Sequence, residues 1–389
     1  MNLLHKLLGQ NDKRLGTTLM LSVVGTLALS ACDRTSSTAV APPAIAPEAT
    51  FVKMVQRTHA LRDADAKGWI DDILTSLDDV KMPRTNESMC AVMAVIEQES
   101  GYKEDPPVAG LSTLLANKIK KMGSNLALRL ALEVRLDQAM STGKTFREGI
   151  KQIKTERDLS NWYTEFTESR YTSPILKYMG KSVDDVVSTV GSMQVSIDYA
   201  RKVAASLGQS SMNMRETLYT RKGGVLFGTA HLFYYPTHYT DMLYRFADFN
   251  AGHYASRNAG FQTMVSQLTG KPLNADGDLI EHQADNPNSV SETQNAVMQL
   301  LAKKMPNITA QTIQQDLALE KSLDFESTVT YQTVAQLYAQ KYKKVLSQQL
   351  PKISLKSEKI TRNLTTEWYA NSVNRRYQQC LSVAQRANY

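Results

Sequence analysis

The segment after Asn86 carries an apolar residue at every third or fourth position, the spacing that places side chains on one face of an α-helix. The apolar positions are Met89, Val92, Met93 and Ile96. Asn86 is a residue type that caps helix N-termini, so the pattern predicts a helix that begins there and reaches at least Ser100. Glu99 continues the apolar stripe, whereas Glu97 projects from nearly the opposite side.

Helical patterns dominate the chain after Phe51, and runs of alternating apolar residues, which would indicate strands, are scarce. We expect further helices around 212–233 and 239–249 and after Gly260. The sequence therefore predicts a mainly α protein.

A cluster of Gly, Asn and Asp residues at 270–277 predicts a boundary in the chain. Beyond it, Ser291 with Gln294 resembles a capping box that opens a helix through Lys304. A later helix carries one apolar face, which its helical spacing predicts to pack in a core. The residues of that face are Tyr331, Val334, Tyr338, Tyr342 and Val345.

The N-terminus has the features of a bacterial export signal. Positive charges precede an apolar stretch at 17–29 that is too short to span a bilayer comfortably, and Ser30, Ala31 and Cys32 follow it. The tetrad ending in Cys32 resembles a lipobox, which implies cleavage after residue 31 and acylation of Cys32, with palmitate among the acyl groups. The protein would then be a periplasm-facing lipoprotein on the inner or outer membrane of a Gram-negative bacterium. Asp33 resembles an inner-membrane retention signal and slightly favours that membrane.

The polar, Pro-rich segment that follows predicts a flexible tether over 32–50. The predicted organisation is thus a signal peptide at 1–31, the tether, a main folded domain at 51–270 and a helical C-terminal region at 271–389.

The overall composition is that of a globular protein: 42% of the 389 residues are hydrophobic and 21% are charged. The net charge of +7 falls to +5 without the signal peptide, which suits an anionic polymer without selecting one. No run of five Lys or Arg residues and no nucleic-acid-binding signature is present, so we expect no nucleic-acid partner. The six histidines form no metal-binding motif, so neither a metal nor another cofactor is expected.

Two further cysteines, Cys90 and Cys380, would lie in an oxidising compartment after export. They are candidates for a disulfide that joins the C-terminal tail to the helix after Asn86. The alternative is two separate buried thiols.

Three short segments carry the candidate chemistry, and they stand in a fixed order: VIEQESGY at 95–102, GSMQVS at 191–196 and ADFNAG at 247–252. Together they resemble the lysozyme-like lytic transglycosylases and their goose-type lysozyme relatives, over about 85–265. The resemblance implies a lysozyme-like helical catalytic domain whose substrate is the glycan strand of peptidoglycan, with other cell-wall enzymes as candidate partners.

The resemblance also implies the role of each residue in these segments. Glu99 is the expected catalytic acid and base, and Ser100 is expected to hold it or to bond the base of the cleft. The expected substrate-binding residues are Gly191, Met193, Gln194, Phe249 and Asn250. The position of Glu99 is consistent with this role as an acid. A glycosidic oxygen is a poor leaving group until it is protonated, and a carboxyl group beside an apolar stripe can stay protonated near neutral pH.

The chain departs from the family in two places. A helical insertion at about 105–185 separates Glu99 from Gly191, and Phe249 stands where a Tyr is usual, so a hydroxyl that helps to orient the sugar or the acid is missing. These departures leave two alternatives open. One is a lysozyme-like protein that binds glycan or a wall-remodelling partner with little or no turnover, and the other is a hydrolase that uses a second carboxylate such as Asp185.

Overall fold

A computed structural model describes residues 45–122, 126–168, 187–210, 213–281, 289–355 and 364–387. These residues belong to one compact unit, Pro43–Tyr389. Cys32, Asp33, the signal peptide, most of the tether and Asp185 lie outside the described residues. No helix in the described part of the chain is both long and apolar enough to cross a membrane.

The described chain is mainly helical, as the sequence predicts. The first helices are α1 Glu48–His59, α2 Asp63–Asp79, α3 Asn86–Glu99, α4 Leu111–Met122, α5 Leu126–Leu136, α6 Phe146–Ile150 and α7 Glu156–Glu168. A short hairpin of β1 Thr189–Val190 and β2 Val195–Ser196 precedes α8 Ile197–Ala204, α9 Met214–Leu218, α10 Arg221–Phe233, α11 Met242–Ala251 and α12 Ala255–Thr269. The remaining elements are α13 Glu292–Lys304, α14 Ala310–Leu317, a 3-10 helix Leu323–Ser327, α15 Val329–Tyr342, β3 Ser354–Leu355, β4 Leu364–Thr365 and α16 Thr366–Arg386.

Helix α3 lies at the centre of the larger of two hydrophobic cores. Every residue from Met89 to Ile96 is buried, because α2, α10 and α16 pack around it. Thr85 caps the helix by accepting a hydrogen bond from the Ser88 N–H, so the expectation that Asn86 is the cap is wrong by one residue. Asn86 instead accepts a hydrogen bond from the backbone N–H of Ala46 at 2.9 Å.

The C-terminal helix α16 runs along α3 and is covalently joined to it. Cys90 and Cys380 form a disulfide, with their Cα atoms 5.5 Å apart. This bond closes a chain segment of 290 residues. The first and last thirds of the described chain therefore share one core.

The second core lies between α12, α13, α14 and α15. Ser291 caps α13 through the Gln294 N–H at 3.0 Å, as the capping pattern predicts. Tyr331, Val334 and Tyr338 are buried in this core and Tyr342 packs against it, which confirms the predicted role of these four residues. The prediction is wrong for Val345, which lies beyond the end of α15 and is 49% exposed.

Two predicted boundaries differ from the structure. The tether is shorter than 32–50, because Ala46 is buried and α1 begins at Glu48. Residues 271–389 are not a separate region either: α12 begins before the predicted boundary and belongs to the second core, whereas α16 returns to the first. Sequence separation alone does not reveal that the tail folds back.

The two-residue strands do not form a larger sheet. The first pair is antiparallel, with Thr189 opposite Ser196 and Val190 opposite Val195. This register makes a tight loop of 191–194, the segment that contains the Met-Gln pair. The second pair, β3 with β4, precedes α16 directly.

Candidate active site

A cleft of about 910 Å³ lies at the C-terminal end of α3. Glu99 forms part of its wall, and Gln194, Phe249 and Asn250 line it from two other chain segments. The structure therefore brings together one residue or more from each of the three sequence segments. A further wall comes from the insertion, which sequence reasoning did not assign to the cleft: it includes Val108, Leu111, Leu115, Glu156 and Leu159.

Glu99 is partly exposed to the cleft as a residue, while its carboxyl group is surrounded by protein. Burial raises the pKa of this carboxyl group to about 7, and the charge of Glu156 acts in the same direction. A hydrogen bond from the Tyr369 hydroxyl to Oε1 of Glu99 opposes the rise. Near neutral pH, Glu99 is thus populated in both its acid and its base form.

Tyr369 is the principal site residue that the sequence did not reveal. It lies in the first turns of α16, is almost fully buried, and donates its hydrogen bond across 270 sequence positions. Burial raises the pKa of its phenol well above 10, so the hydroxyl remains a donor across the physiological range. The hydroxyl group that Phe249 lacks is therefore matched by that of Tyr369, which contacts Glu99 directly.

Gln194 lines the cleft because the loop between β1 and β2 holds it there. Its backbone takes the left-handed conformation at φ 51°, and its side-chain amide donates to Glu156 Oε2 at 3.1 Å and to the Gly191 carbonyl at 3.2 Å. Thr189 donates to its amide oxygen at 3.4 Å. The Gln194 side chain is thus oriented by several partners rather than free to rotate.

Met193 and Gly191 pack against the protein interior and hold the 191–194 loop in place; neither residue lines the cleft. Met193 is fully buried and packs against Gly228 of α10, where a Cβ would lie 2.2 Å from its sulfur atom. The expectation that Met193 contacts sugars therefore needs correction. Gly191, at φ 83°, approaches the Leu218 carbonyl so closely that a Cβ would lie 2.1 Å from that oxygen.

Ser100 also has a structural role in place of the expected cleft contact. It is buried, its hydroxyl donates to the Ile96 carbonyl at 3.1 Å, and it accepts from the Lys103 N–H at 3.4 Å. These bonds end α3 directly after Glu99. Ser100 fixes the position from which the acid projects.

The end of α11 places Phe249 and Asn250 on the cleft. The Phe249 ring lies 4.7 Å from the ring of His231, and the Asn250 amide oxygen accepts from the Thr366 hydroxyl at 2.9 Å. Buried Asp248 accepts from the backbone N–H groups of Tyr254 and Ser256 at 3.0 and 2.7 Å, which fixes the turn that follows. Thr366, like Tyr369, comes from α16, so two residues of that helix contact the site.

His231 lines the cleft as a neutral side chain. Burial lowers the pKa of its imidazole to about 3, and the nearby His253 adds to that effect. Within the described residues, no group of three or more His, Cys, Asp or Glu side chains could hold a metal ion.

Comparison with known proteins assigns a family. A family model described as a protein of unknown function, DUF1615, matches residues 62–383, which include both Glu99 and Tyr369. The chain belongs to the DUF1615 family. It is 36% identical over 367 residues to the uncharacterized protein YaiW of Escherichia coli strain K12, an alignment that covers 93% of this chain and 97% of the relative. No solved structure matches the chain.

Proposed function

We propose that this chain is a membrane-anchored peptidoglycan lytic transglycosylase with a lysozyme-like catalytic region, in which Glu99 is the sole catalytic acid and base. One observation carries the proposal: a carboxyl group whose pKa is raised to about 7 lies on the wall of a large cleft, hydrogen-bonded to a neutral phenol. Surface carboxylates titrate far lower, so such a group is suited to proton transfer at neutral pH.

The first step uses the protonated form of Glu99. The carboxyl group gives its proton to the glycosidic oxygen between N-acetylmuramic acid and N-acetylglucosamine while the bond from that oxygen to C1 of muramic acid breaks. The N-acetyl group of the muramic acid stabilises the developing positive charge at C1, as in substrate-assisted glycosidases.

The second step uses the carboxylate. Glu99 takes the proton from the 6-hydroxyl of the same muramic acid, and the freed oxygen attacks C1, giving a 1,6-anhydromuramic acid end. No water is consumed, and Glu99 returns to its acid form. A single carboxyl group with a pKa near the working pH suffices for both proton transfers.

The other cleft residues bind and orient the strand. Gln194 and Asn250 offer amide groups for sugar hydroxyl and acetamido groups, while Phe249 offers an apolar face. The insertion adds Leu111, Leu115 and Leu159 to the lining of the cleft. We expect this apolar wall to displace water from the strand near Glu99, which keeps the acid protonated and disfavours hydrolysis.

The test is mass spectrometry of purified sacculi after incubation with the protein, in parallel with its Glu99→Gln variant. The matched control is Glu104→Gln, since Glu104 is an exposed carboxylate five positions further along. We expect anhydromuropeptides from the parent and the control and none from Glu99→Gln. Equal product from Glu99→Gln would refute the assignment of the acid.

Two alternatives have their own outcomes in the same assay. A protein that binds glycan or a wall-remodelling partner with little turnover is favoured by Phe249, which lacks the hydroxyl group usual at this position in lytic transglycosylases. It would bind sacculi without releasing products. A hydrolase would use a second carboxylate, for which the cleft offers buried Glu156, and would release muropeptides with reducing ends.

The proposed location is a membrane surface facing the periplasm, through acylation of Cys32. The small residues before Cys32 and the apolar stretch at 17–29 support it. Replacing Cys32 with Ser should abolish labelling by a radioactive or clickable palmitate analogue. Persistent labelling of the Cys32→Ser chain would contradict this anchor.

A further inference from the structure

Two amide side chains line the cleft, Gln194 and Asn250, and protein partners fix the orientation of each. The Nε2 group of Gln194 donates both of its hydrogens, one to Glu156 Oε2 at 3.1 Å and one to the Gly191 carbonyl at 3.2 Å. A carboxylate and a carbonyl only accept, so the amide cannot turn over without placing its oxygen against two other oxygens. Thr189 donates to one lone pair of Oε1 at 3.4 Å. Gln194 therefore has one hydrogen-bonding position left for a ligand, and it is an acceptor.

Asn250 has the opposite polarity. Its Oδ1 atom accepts from the Thr366 hydroxyl at 2.9 Å, and its Nδ2 group makes no hydrogen bond within the described residues. Nδ2 is not among the buried polar atoms without a partner, so it is accessible from the cleft that Asn250 lines. Its two N–H groups are available to a ligand. The cleft thus offers an acceptor at Gln194 and a donor at Asn250.

The two side chains that set this polarity are themselves held firmly. Glu156 is the first residue of α7 and is 4% exposed, and Thr366 is the first residue of α16 and is fully buried. The backbone N–H of Thr366 also donates to the Ile353 carbonyl at 3.1 Å. Buried partners on rigid helices keep the neighbouring amide groups in one orientation. Neither residue belongs to the three motif segments: one comes from the insertion and the other from the C-terminal helix.

Fixed amide groups distinguish between the polar groups that a sugar can carry. A hydroxyl group both donates and accepts, so it can bind an amide in either orientation. An acetamido group has a nitrogen that only donates and an oxygen that only accepts. Each sugar of a peptidoglycan strand carries an acetamido group at C2. An acceptor and a donor that cannot exchange places therefore suit the acetamido sugars of such a strand.

We propose that Glu156 and Thr366 are positioning residues that give the cleft its selectivity for 2-acetamido sugars. Glu156 presents the Gln194 oxygen to an acetamido N–H group, and Thr366 presents the Asn250 Nδ2 group to an acetamido carbonyl, on the same sugar or on its neighbour in the strand. The inference rests on the proposed function for the class of ligand, a glycan, but not for turnover. A protein that binds glycan without cleaving it would keep this recognition.

Titration calorimetry of the protein with two neutral β-1,4-linked tetrasaccharides tests the proposal. Chitotetraose carries an acetamido group at C2 of every sugar, whereas cellotetraose carries a hydroxyl group there. We expect the protein to bind chitotetraose at least about tenfold more tightly, since each satisfied hydrogen bond contributes roughly a factor of two to ten. The ratio of the two affinities is the readout, because a general loss of structure would weaken the binding of both sugars equally.

Two variants release one amide each. Glu156→Gln replaces the carboxylate with an amide of the same shape, which donates as well as accepts, so Gln194 is no longer held in one orientation. Thr366→Val removes the hydroxyl group that orients Asn250 and nearly preserves the side-chain volume. Each variant should lower the ratio of affinities by about threefold or more, while the affinity for cellotetraose stays within about twofold of the parent.

The matched controls make the same substitutions at helix starts outside the cleft. Glu292→Gln removes a carboxylate from the first residue of α13, and Thr330→Val removes a buried hydroxyl group from the first turn of α15. Neither residue lines the cleft. Both controls should keep the ratio of the parent, and unchanged thermal unfolding verifies that all four variants are folded.

Equal binding of the two sugars by the parent, or no binding of either, would overturn the proposal. An unchanged ratio in Glu156→Gln or Thr366→Val would overturn the role of that residue, and so would an equal loss of affinity for both sugars, which indicates a purely structural role. The proposed reaction has a separate outcome. Selection of chitotetraose without release of anhydromuropeptides would refute the reaction alone, and release of anhydromuropeptides without selection would refute the recognition alone.

Discussion

Replacing Glu99 with Gln should stabilise the protein at alkaline pH, whether or not the protein is an enzyme. Burial makes the ionised carboxylate unfavourable in the folded chain, and Glu156 adds like charge. Glutamine has nearly the same shape, can accept the same hydrogen bond from Tyr369, and carries no charge. The substitution therefore removes the cost of ionisation and little else.

The size and sign of the effect follow from linkage. The pKa of Glu99 is raised from its ordinary value of 4.5 to about 7 in the folded protein, and each unit is worth about 1.4 kcal/mol. Below pH 4.5 the carboxyl group is protonated in both the folded and unfolded states, so ionisation costs nothing. As pH rises through 7 the parent loses about 3 kcal/mol of folding free energy, which the Gln variant keeps.

The measurement is urea unfolding of both proteins at pH values from 4 to 8, with the disulfide intact. The difference in unfolding free energy between Glu99→Gln and the parent should grow by about 3 kcal/mol over this range. Glu104→Gln, at an exposed position, is the control and should show no such growth. A difference that stays constant with pH would mean that the Glu99 carboxyl group is hydrated, and the argument for a general acid would fail with it.

Three further perturbations test the contacts around the site. Tyr369→Phe should raise the pKa of Glu99 by about one to two further units, read from the carboxyl carbon-13 shift, because a hydrogen bond to a charged group is worth roughly 1.5–3 kcal/mol; an unchanged midpoint would contradict the bond. Gly191→Ala should cost at least about 2 kcal/mol more unfolding free energy than Gly143→Ala, since both have positive φ but only the first would strike a backbone oxygen. Equal losses would refute that packing. Reducing the disulfide between α3 and α16 should lower the unfolding free energy by about 4 kcal/mol, and equal thermal unfolding with and without reductant would count against its role.

Local patterns predicted the parts of the fold that local physics decides. The apolar spacing around Met89 and Ile96 gave helix α3 and placed Glu99 at its end, since periodicity depends only on neighbouring residues. The Ser291 cap and the buried face of α15 were predictable for the same reason. The prediction that Asn86 caps α3 was wrong because its side chain accepts a hydrogen bond from the Ala46 N–H, 40 positions away, and local patterns do not reveal so distant a partner.

Contacts across the chain were beyond reach of the sequence. Nothing in the residues around Tyr369 marks it as a partner of Glu99, because a buried aromatic residue at helical spacing is normally core. The position of Glu156 on the cleft could not be predicted either, because nothing in the sequence distinguishes it from the other carboxylates of the chain. The prediction for Met193 was wrong because it treated Met193 and Gln194 as one contact surface. Adjacent residues in a tight loop point to different sides, so Gln194 lines the cleft while Met193 is buried.

The dependence of Glu99 on α16 changes how the family resemblance should be understood. The resemblance ends near residue 265, yet α16 meets α3 in antiparallel order through four successive contacts. These are Tyr369 with Glu99, Ser372 with Gln98, Arg376 with Glu97 and Cys380 with Cys90. Without α16 the end of α3 would be open to water, and the pKa of Glu99 would return toward its ordinary value. The three motif segments alone therefore do not raise the pKa of Glu99: α16 contributes to the burial that does so, and the disulfide joins α16 to α3.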